Sequence, residues 1–204
     1  MPPSRPLAFE RPAIVIAAGG DGARIGGGKP ARMLGGLRLI DHAVAWARRH
    51  GDAVALAVRP GDGDWGTGCP LLFDGHRDIG PISALASAFD HARAQRRPAV
   101  LMIGCDMPFL PDDLVERLSS ALDGHGAALP VSRGRLHPTA ALWRPDSGAL
   151  DAYVARGGQS LRRFAGEVGM AEVAWDAAGP DPFANINDAA ALAAAEARIR
   201  TPAR

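Results

Sequence analysis

An α/β fold with a mostly parallel sheet between two helical layers is what this sequence predicts, and three observations predict it. Apolar runs of strand length alternate with segments of helical period, the pattern of strands joined by crossover helices. A glycine-rich stretch and two aspartates fall just after apolar runs, where open parallel sheets collect their ligands. The chain has 204 residues, enough for one domain that buries about 70% of its extended surface. A single domain over 1–204 is expected, with 1–12 a loose arm and 201–204 a frayed end.

The first strand is read over 13–18, carried by Ala13-Ile14-Val15-Ile16. Further strands are expected near 53–58, 70–73, 99–104, 127–131, 138–143 and 171–175. Helices are expected near 41–49, 81–95, 111–122, 147–155, 160–167 and 188–199. Within 81–95, Ile82, Leu85, Ala86, Phe89 and Ala92 share one stripe, the spacing of an amphipathic helix. Pro111 ahead of Asp112 and Asp113 reads as a helix start with acids in its first turn. Asp188 is placed to cap the alanine-rich last helix. The stretch 59–68, rich in Gly and Asp, is a loop.

Composition narrows the function classes. Hydrophobic residues make up 47% and charged residues 22%, ordinary for a soluble globular protein. A net charge of +1 gives no footprint for bulk nucleic acid. The longest apolar runs, 13–18 and 99–103, fall far short of the ~20 residues a membrane span needs. Met1 to Pro6 lacks the apolar core of a signal peptide. Cys69 and Cys105 are the only cysteines, and reduced thiols in a cytoplasmic protein are expected.

The 23 basic side chains comprise 22 arginines and one lysine, Lys29, which closes the glycine-rich stretch that begins at Ala17. A compact ammonium beside bare backbone amides suits phosphate oxygens. The loop is not a Walker A motif, because Pro30 stands where Ser or Thr should follow the lysine. It also fails G-x-G-x-x-G, since Ile25 holds the third glycine position; the looser spacing Gly20, Gly22, Gly26 keeps a dinucleotide reading open. The run Ala99 to Gly104 ends in Cys105-Asp106-Met107-Pro108. A carboxylate at the tip of an apolar strand is poised for a hard cation such as Mg²⁺, or it merely shapes the turn before Pro108. Leu71-Leu72-Phe73 ends in Asp74, and Gly80-Pro81 precedes the next helix. His42, His50, His76, His91 and His125 show no metal-ligand spacing and are expected at the surface or at helix ends. Trp46, Trp143 and Trp175 read as core, whereas Trp65 lies in the Gly-rich loop.

Taken together, these segments resemble the molybdenum cofactor guanylyltransferases, within the nucleotidyltransferase superfamily. That family opens with L-A-G-G-x-S-x-R-M-G and a lysine; here Ala17 to Gly26 and Lys29 match. Asp74 with Gly80-Pro81-Ile82 resembles its D…G-P-L stretch, and Cys105 to Leu110 its C-D-x-P-F-L. His137 to Leu142 and Phe183 to Asp188 are similar to H-P-T-x-A-L and F-x-N-I-N-T. Five such matches in order cover nearly the whole chain.

The resemblance implies a three-layer α/β/α Rossmann-like nucleotidyltransferase domain. It implies GMP transfer from GTP to the terminal phosphate of molybdopterin bearing molybdenum, with Mg²⁺ as cofactor. Ala18, Gly19, Gly20, Lys29, Asp74 and Asp106 would bind nucleotide, Arg24, Lys29 and Asp106 would be catalytic, and Asp106 would hold the metal. His137, Asn185 and Asn187 would face the acceptor. Transient contact with molybdoenzymes or cofactor-synthesis proteins is expected, and none with nucleic acid or membrane. The sequence departs from the family at Gly22 and Ile25, at Ser83-Ala84, and in lacking an Asn over 56–60 near the base. Those departures leave a cytidylyl counterpart, a sugar nucleotidyltransferase and a silent nucleotide-binding delivery module as alternatives.

Overall fold

The computed structural model describes residues 11–19, 28–63, 65–73, 80–175 and 179–200. Its main sheet uses strands β1 (Ala13–Ala17), β4 (Val54–Val58), β5 (Leu71–Phe73), β6 (Val100–Gly104), β7 (Ala127–Ser132), β8 (Arg135–Leu136), β9 (Leu142–Trp143) and β10 (Met170–Ala174). The hydrogen-bonded order is β10-β7-β9-β6-β1-β4-β5, with β8 attached to β7. Pairs β1–β4, β1–β6, β4–β5 and β7–β10 are parallel. Short β9 runs antiparallel between β6 and β7.

Six helices are described: α1 (Leu39–His50), α2 (Pro81–Ala94), α3 (Leu114–Ala121), α4 (Ser147–Ala155), α5 (Leu161–Glu167) and α6 (Ala189–Arg200). Alternate residues of β1 feed opposite faces of the sheet, as strand geometry requires. Ile14 and Ile16 pack with Val44 and Trp46 of α1 and with Leu114 and Leu118 of α3. Ala13 and Val15 join Leu85 and Phe89 of α2, Leu150 of α4 and Phe164 of α5. Because both faces are covered, β4 and β6 are buried at every position. Full burial of an Ile, Val or Leu stabilises by about 1.5–3 kcal/mol, so these strands carry no charged side chain until their carboxyl ends. From β1 the chain winds outward through β4 to β5, then crosses back by α2 to β6 on the other side of β1. The carboxyl ends of β1 and β6 therefore flank the topological switch point.

Three expected elements differ. The strand read over 138–143 is a 3-10 turn, Pro138–Ala140, followed by the two residues of β9. Pro138 has no N–H for a sheet ladder, and the Ala140 amide closes back on His137 O at 2.9 Å. The helix read from 111 begins at Leu114, because the Leu114 amide turns back onto Pro111 O at 3.3 Å; the acid of its first turn is Glu116. A hairpin, β2 (Met33–Leu34) with β3 (Leu37–Arg38), was not expected. Its turn is Gly35-Gly36 at φ 58° and 85°, the positive values that a two-residue hairpin loop requires. His91 lies in the last turn of α2, one of the two places expected for it, but is buried there, and burial lowers its pKa from the usual imidazole range. Asp188 caps α6 as expected, accepting from the Ala191 amide at 2.8 Å.

Candidate active site

Gly28 is left-handed at φ 61° and starts a 3-10 turn, Lys29–Ala31, with Pro30 buried beneath it. That turn lifts Lys29 over the carboxyl ends of the strands. Its ammonium lies 2.5 Å from Asp106 Oδ2 and 2.6 Å from Asn187 Oδ1. The Lys29 and Asp106 side chains are 15% and 12% exposed, so this ion pair is largely shielded from water. Asp106, 77 positions from Lys29, and Asn187, 158 positions from it, thus meet at one nitrogen.

The loop that carries Asp106 is fastened on several sides. The Cys105 amide donates to Ala17 O at 3.2 Å, extending the β1–β6 ladder by one residue. Trp46 Nε1 of α1 donates to Leu110 O at 3.1 Å. The Ile186 amide donates to Asp106 O at 3.0 Å. Ile186 is itself buried with Leu34, Leu39 and Ala195, so α6 and the β2–β3 hairpin brace the same loop. The Cys105 thiol is pushed up to about 12, by burial first and then by the Asp106 charge. It therefore stays a thiol at neutral pH.

Gly104, the last residue of β6, has no space for a side chain. A Cβ there would overlap Asp106 Oδ1 and come within 3.6 Å of Met107 Cγ. Gly104→Ala is expected to displace the carboxylate from Lys29, lowering turnover by about tenfold or more while the sheet persists. Steady-state kinetics alongside circular dichroism check this, and unchanged kcat in a folded variant would show that Asp106 tolerates the shift.

The other expected site residues divide into three groups. Ala18 is buried, and its amide donates to Ala57 O at 2.9 Å, extending the β1–β4 ladder. Gly19 follows, and a Cβ there would meet Arg59 Cγ at 3.1 Å and the Arg59 backbone nitrogen at 3.3 Å. Gly20, Arg24 and Asp74 lie outside the described residues. On the acceptor side implied by the resemblance, His137 precedes the 3-10 turn and Asn185 is half-buried. Asn187, expected there as well, sits against Lys29 instead of beside His137's ring partners.

Two residues the sequence did not single out join His137. Ser132 Oγ lies 2.7 Å from His137 Nε2 and 2.8 Å from Asp181 Oδ1. The signal for Asp181 was its place before Pro182, a turn-initiating pair, and its carboxylate accepts from the Phe183 amide at 2.9 Å. Nothing in sequence pointed to Ser132.

A family model described as the MobA-like NTP transferase domain matches residues 14–173. The chain belongs to the MobA-like NTP transferase family. A molybdenum cofactor guanylyltransferase of Rhodobacter capsulatus is 38% identical to this MobA-like chain over 193 residues, covering 93% of it and 97% of the relative. One of Acidiphilium cryptum is 38% identical over 188 residues, with 90% and 93% covered. Among solved structures, the molybdopterin-guanine dinucleotide biosynthesis protein A of Archaeoglobus fulgidus superposes with a TM-score of 0.73 at 19% identity, covering 92% of this chain and 98% of that one. A 2-C-methyl-D-erythritol 4-phosphate cytidylyltransferase of Thermus thermophilus gives 0.67 at 21% identity, covering 93% and 98%. At those identities the likeness is one of fold, and the MobA-like chain has the Rossmann-like α/β architecture of nucleotidyltransferases. Among its described residues no helix is long and apolar enough to cross a membrane.

Proposed function

We propose that this chain transfers GMP from GTP to the terminal phosphate of molybdopterin bearing molybdenum, releasing pyrophosphate. The observation that carries the reading is the cage at the switch point. Oxygens of Asp106 and Asn187 already converge on one cation, the Lys29 ammonium, at 2.5 and 2.6 Å. The names of the relatives supply the substrates. A carboxylate and an amide oxygen are hard donors of the kind Mg²⁺ accepts, and Mg²⁺ needs few of them when phosphates complete its shell. The residues therefore fit the metal, with Asp106 as its holder. Bound there, Mg²⁺ would supply positive charge that neutralises the phosphate groups of the nucleotide.

The chain's own residues do the rest. The triphosphate draws Lys29 off Asp106, so the ammonium follows the charge that accumulates on pyrophosphate. On the resemblance, Arg24 and the glycine-rich loop would add to that neutralisation, and Asp74 would contact the guanosine or assist the metal. Attack by the acceptor phosphate on the α-phosphorus needs little covalent help, so orientation carries the rate. The braces from Trp46 and Ile186 supply it by fixing the Asp106 loop.

Titration calorimetry with GTP, CTP and ATP, each with and without Mg²⁺, tests the reading. Tight binding of GTP alone, dependent on Mg²⁺, is the expected result. Preference for CTP moves the assignment to the cytidylyl counterpart, and binding of none of the three favours a silent delivery module.

A further inference from the structure

Ser132, Asp181 and His137 form a chain of hydrogen bonds whose direction can be worked out from proton counts. Ser132 ends β7 and is 2% exposed. A serine hydroxyl carries one proton, and an ionised carboxylate only accepts. The Ser132 proton therefore goes to Asp181 Oδ1 at 2.8 Å. Its oxygen, 2.7 Å from His137 Nε2, must then accept from that nitrogen, which places the ring proton on Nε2. The serine sits between the acid and the imidazole, so this is no nucleophilic triad, in which the histidine stands in the middle.

The ring is held on its flat side too. His137 stacks on Phe183 with centroids 4.9 Å apart and planes 23° apart, and Trp175 meets Phe183 edge-on. Burial lowers the His137 pKa from 6.5, and Arg135 adds to this, while the Asp181 charge and a hydrogen bond with the Ser132 backbone work against it. The ring is neutral at pH 7.5, and Nδ1 keeps its lone pair. Among the described residues nothing donates to Nδ1.

We infer that Ser132 and Asp181 are positioning residues that lock His137 as the Nε2–H tautomer, so that Nδ1 accepts a hydrogen bond from an N–H or O–H of the acceptor substrate. This rests on the proposed function and sharpens it. A neutral ring presenting a lone pair repels a phosphate oxygen but matches an amide or amino N–H on a heterocycle. His137 thus reads the ring system of the acceptor, not its phosphate.

Long-range ¹H–¹⁵N correlation spectra of the ¹⁵N-labelled full chain at pH 7.5 read the tautomer directly, with His137→Gln identifying the signals. The expected result is a single Nε2–H form in the wild type. A mixture of tautomers is expected in Ser132→Ala and Asp181→Ala, with recovery in Asp181→Asn, whose amide oxygen still accepts. An Nδ1–H or doubly protonated ring in the wild type overturns the inference, whether or not any variant folds. In turnover assays, Ser132→Ala is expected to raise KM for the acceptor about tenfold and leave KM for GTP within about twofold. Equal shifts in both overturn the acceptor role. Absence of any nucleotide transfer by the wild type sinks the proposed function, while the spectra still judge the tautomer.

Discussion

Asp106→Ala is expected to lower kcat by at least about 10³-fold, the scale on which a site loses its charge-neutralising group and its metal holder. The fold should survive the change. Removing one partner of a largely buried ion pair costs about 3–5 kcal/mol, against a typical stability of about 5–15 kcal/mol for a domain. Thermal unfolding followed by circular dichroism checks that point, and the isosteric Asp106→Asn separates lost charge from lost volume. In the presence of Mg²⁺ both variants should bind GTP more weakly than the wild type, and single-turnover rates should fall with them. Near-normal turnover in folded Asp106→Ala would remove Asp106 from the metal site altogether.

The second large effect runs in two directions at once. Lys29→Met deletes the ammonium that occupies Asp106 Oδ2 and Asn187 Oδ1. Loss of a charge-assisted contact should weaken GTP binding by about 10–100-fold. The same change should strengthen binding of a divalent ion in the absence of nucleotide by about tenfold or more, because like charges a few ångströms apart repel strongly. Mn²⁺ titration followed by electron paramagnetic resonance reads the ion alone, without any assay of transfer. If Mn²⁺ affinity is the same in Lys29→Met and the wild type, the lysine does not compete with metal for the carboxylate. Where it does compete, nucleotide and metal enter together, since the triphosphate is what releases the carboxylate.

The central sheet was readable because β1, β4 and β6 are buried on both faces and so appear as unbroken apolar runs. Asp106 stood out for a related reason, as a charge just beyond such a run, and Lys29 as the one lysine of the sequence, closing a glycine-rich stretch. The stretch 138–143 misled because its apolar residues suit a strand, whereas Pro138 breaks the ladder and leaves only the two residues of β9 paired. The β2–β3 hairpin escaped notice despite its Gly-Gly signal, since strands of two residues show no periodicity. The meeting of Lys29 with Asn187 was not readable at all. It depends on α6 folding back to place Ile186 against Leu34 and Leu39, a tertiary event with no local signature.

That long reach has a consequence for how the protein is made. The bond from Lys29 to Asn187 joins positions 158 apart, and synthesis proceeds at about 5–20 residues per second from the N-terminus. Strands β1, β4 and β6 are all available to pair well before Asn187 leaves the ribosome, so the sheet precedes the cage. A growing chain therefore has its scaffold early but lacks the brace on the Asp106 loop until the last helix docks. Contacts of such separation also form late in refolding, because the chain entropy of closing the loop is lost before the contact rewards it. The Lys29–Asn187 contact is thus a late event in the maturation of this chain, and the Asp106 loop gains its last brace only when α6 docks.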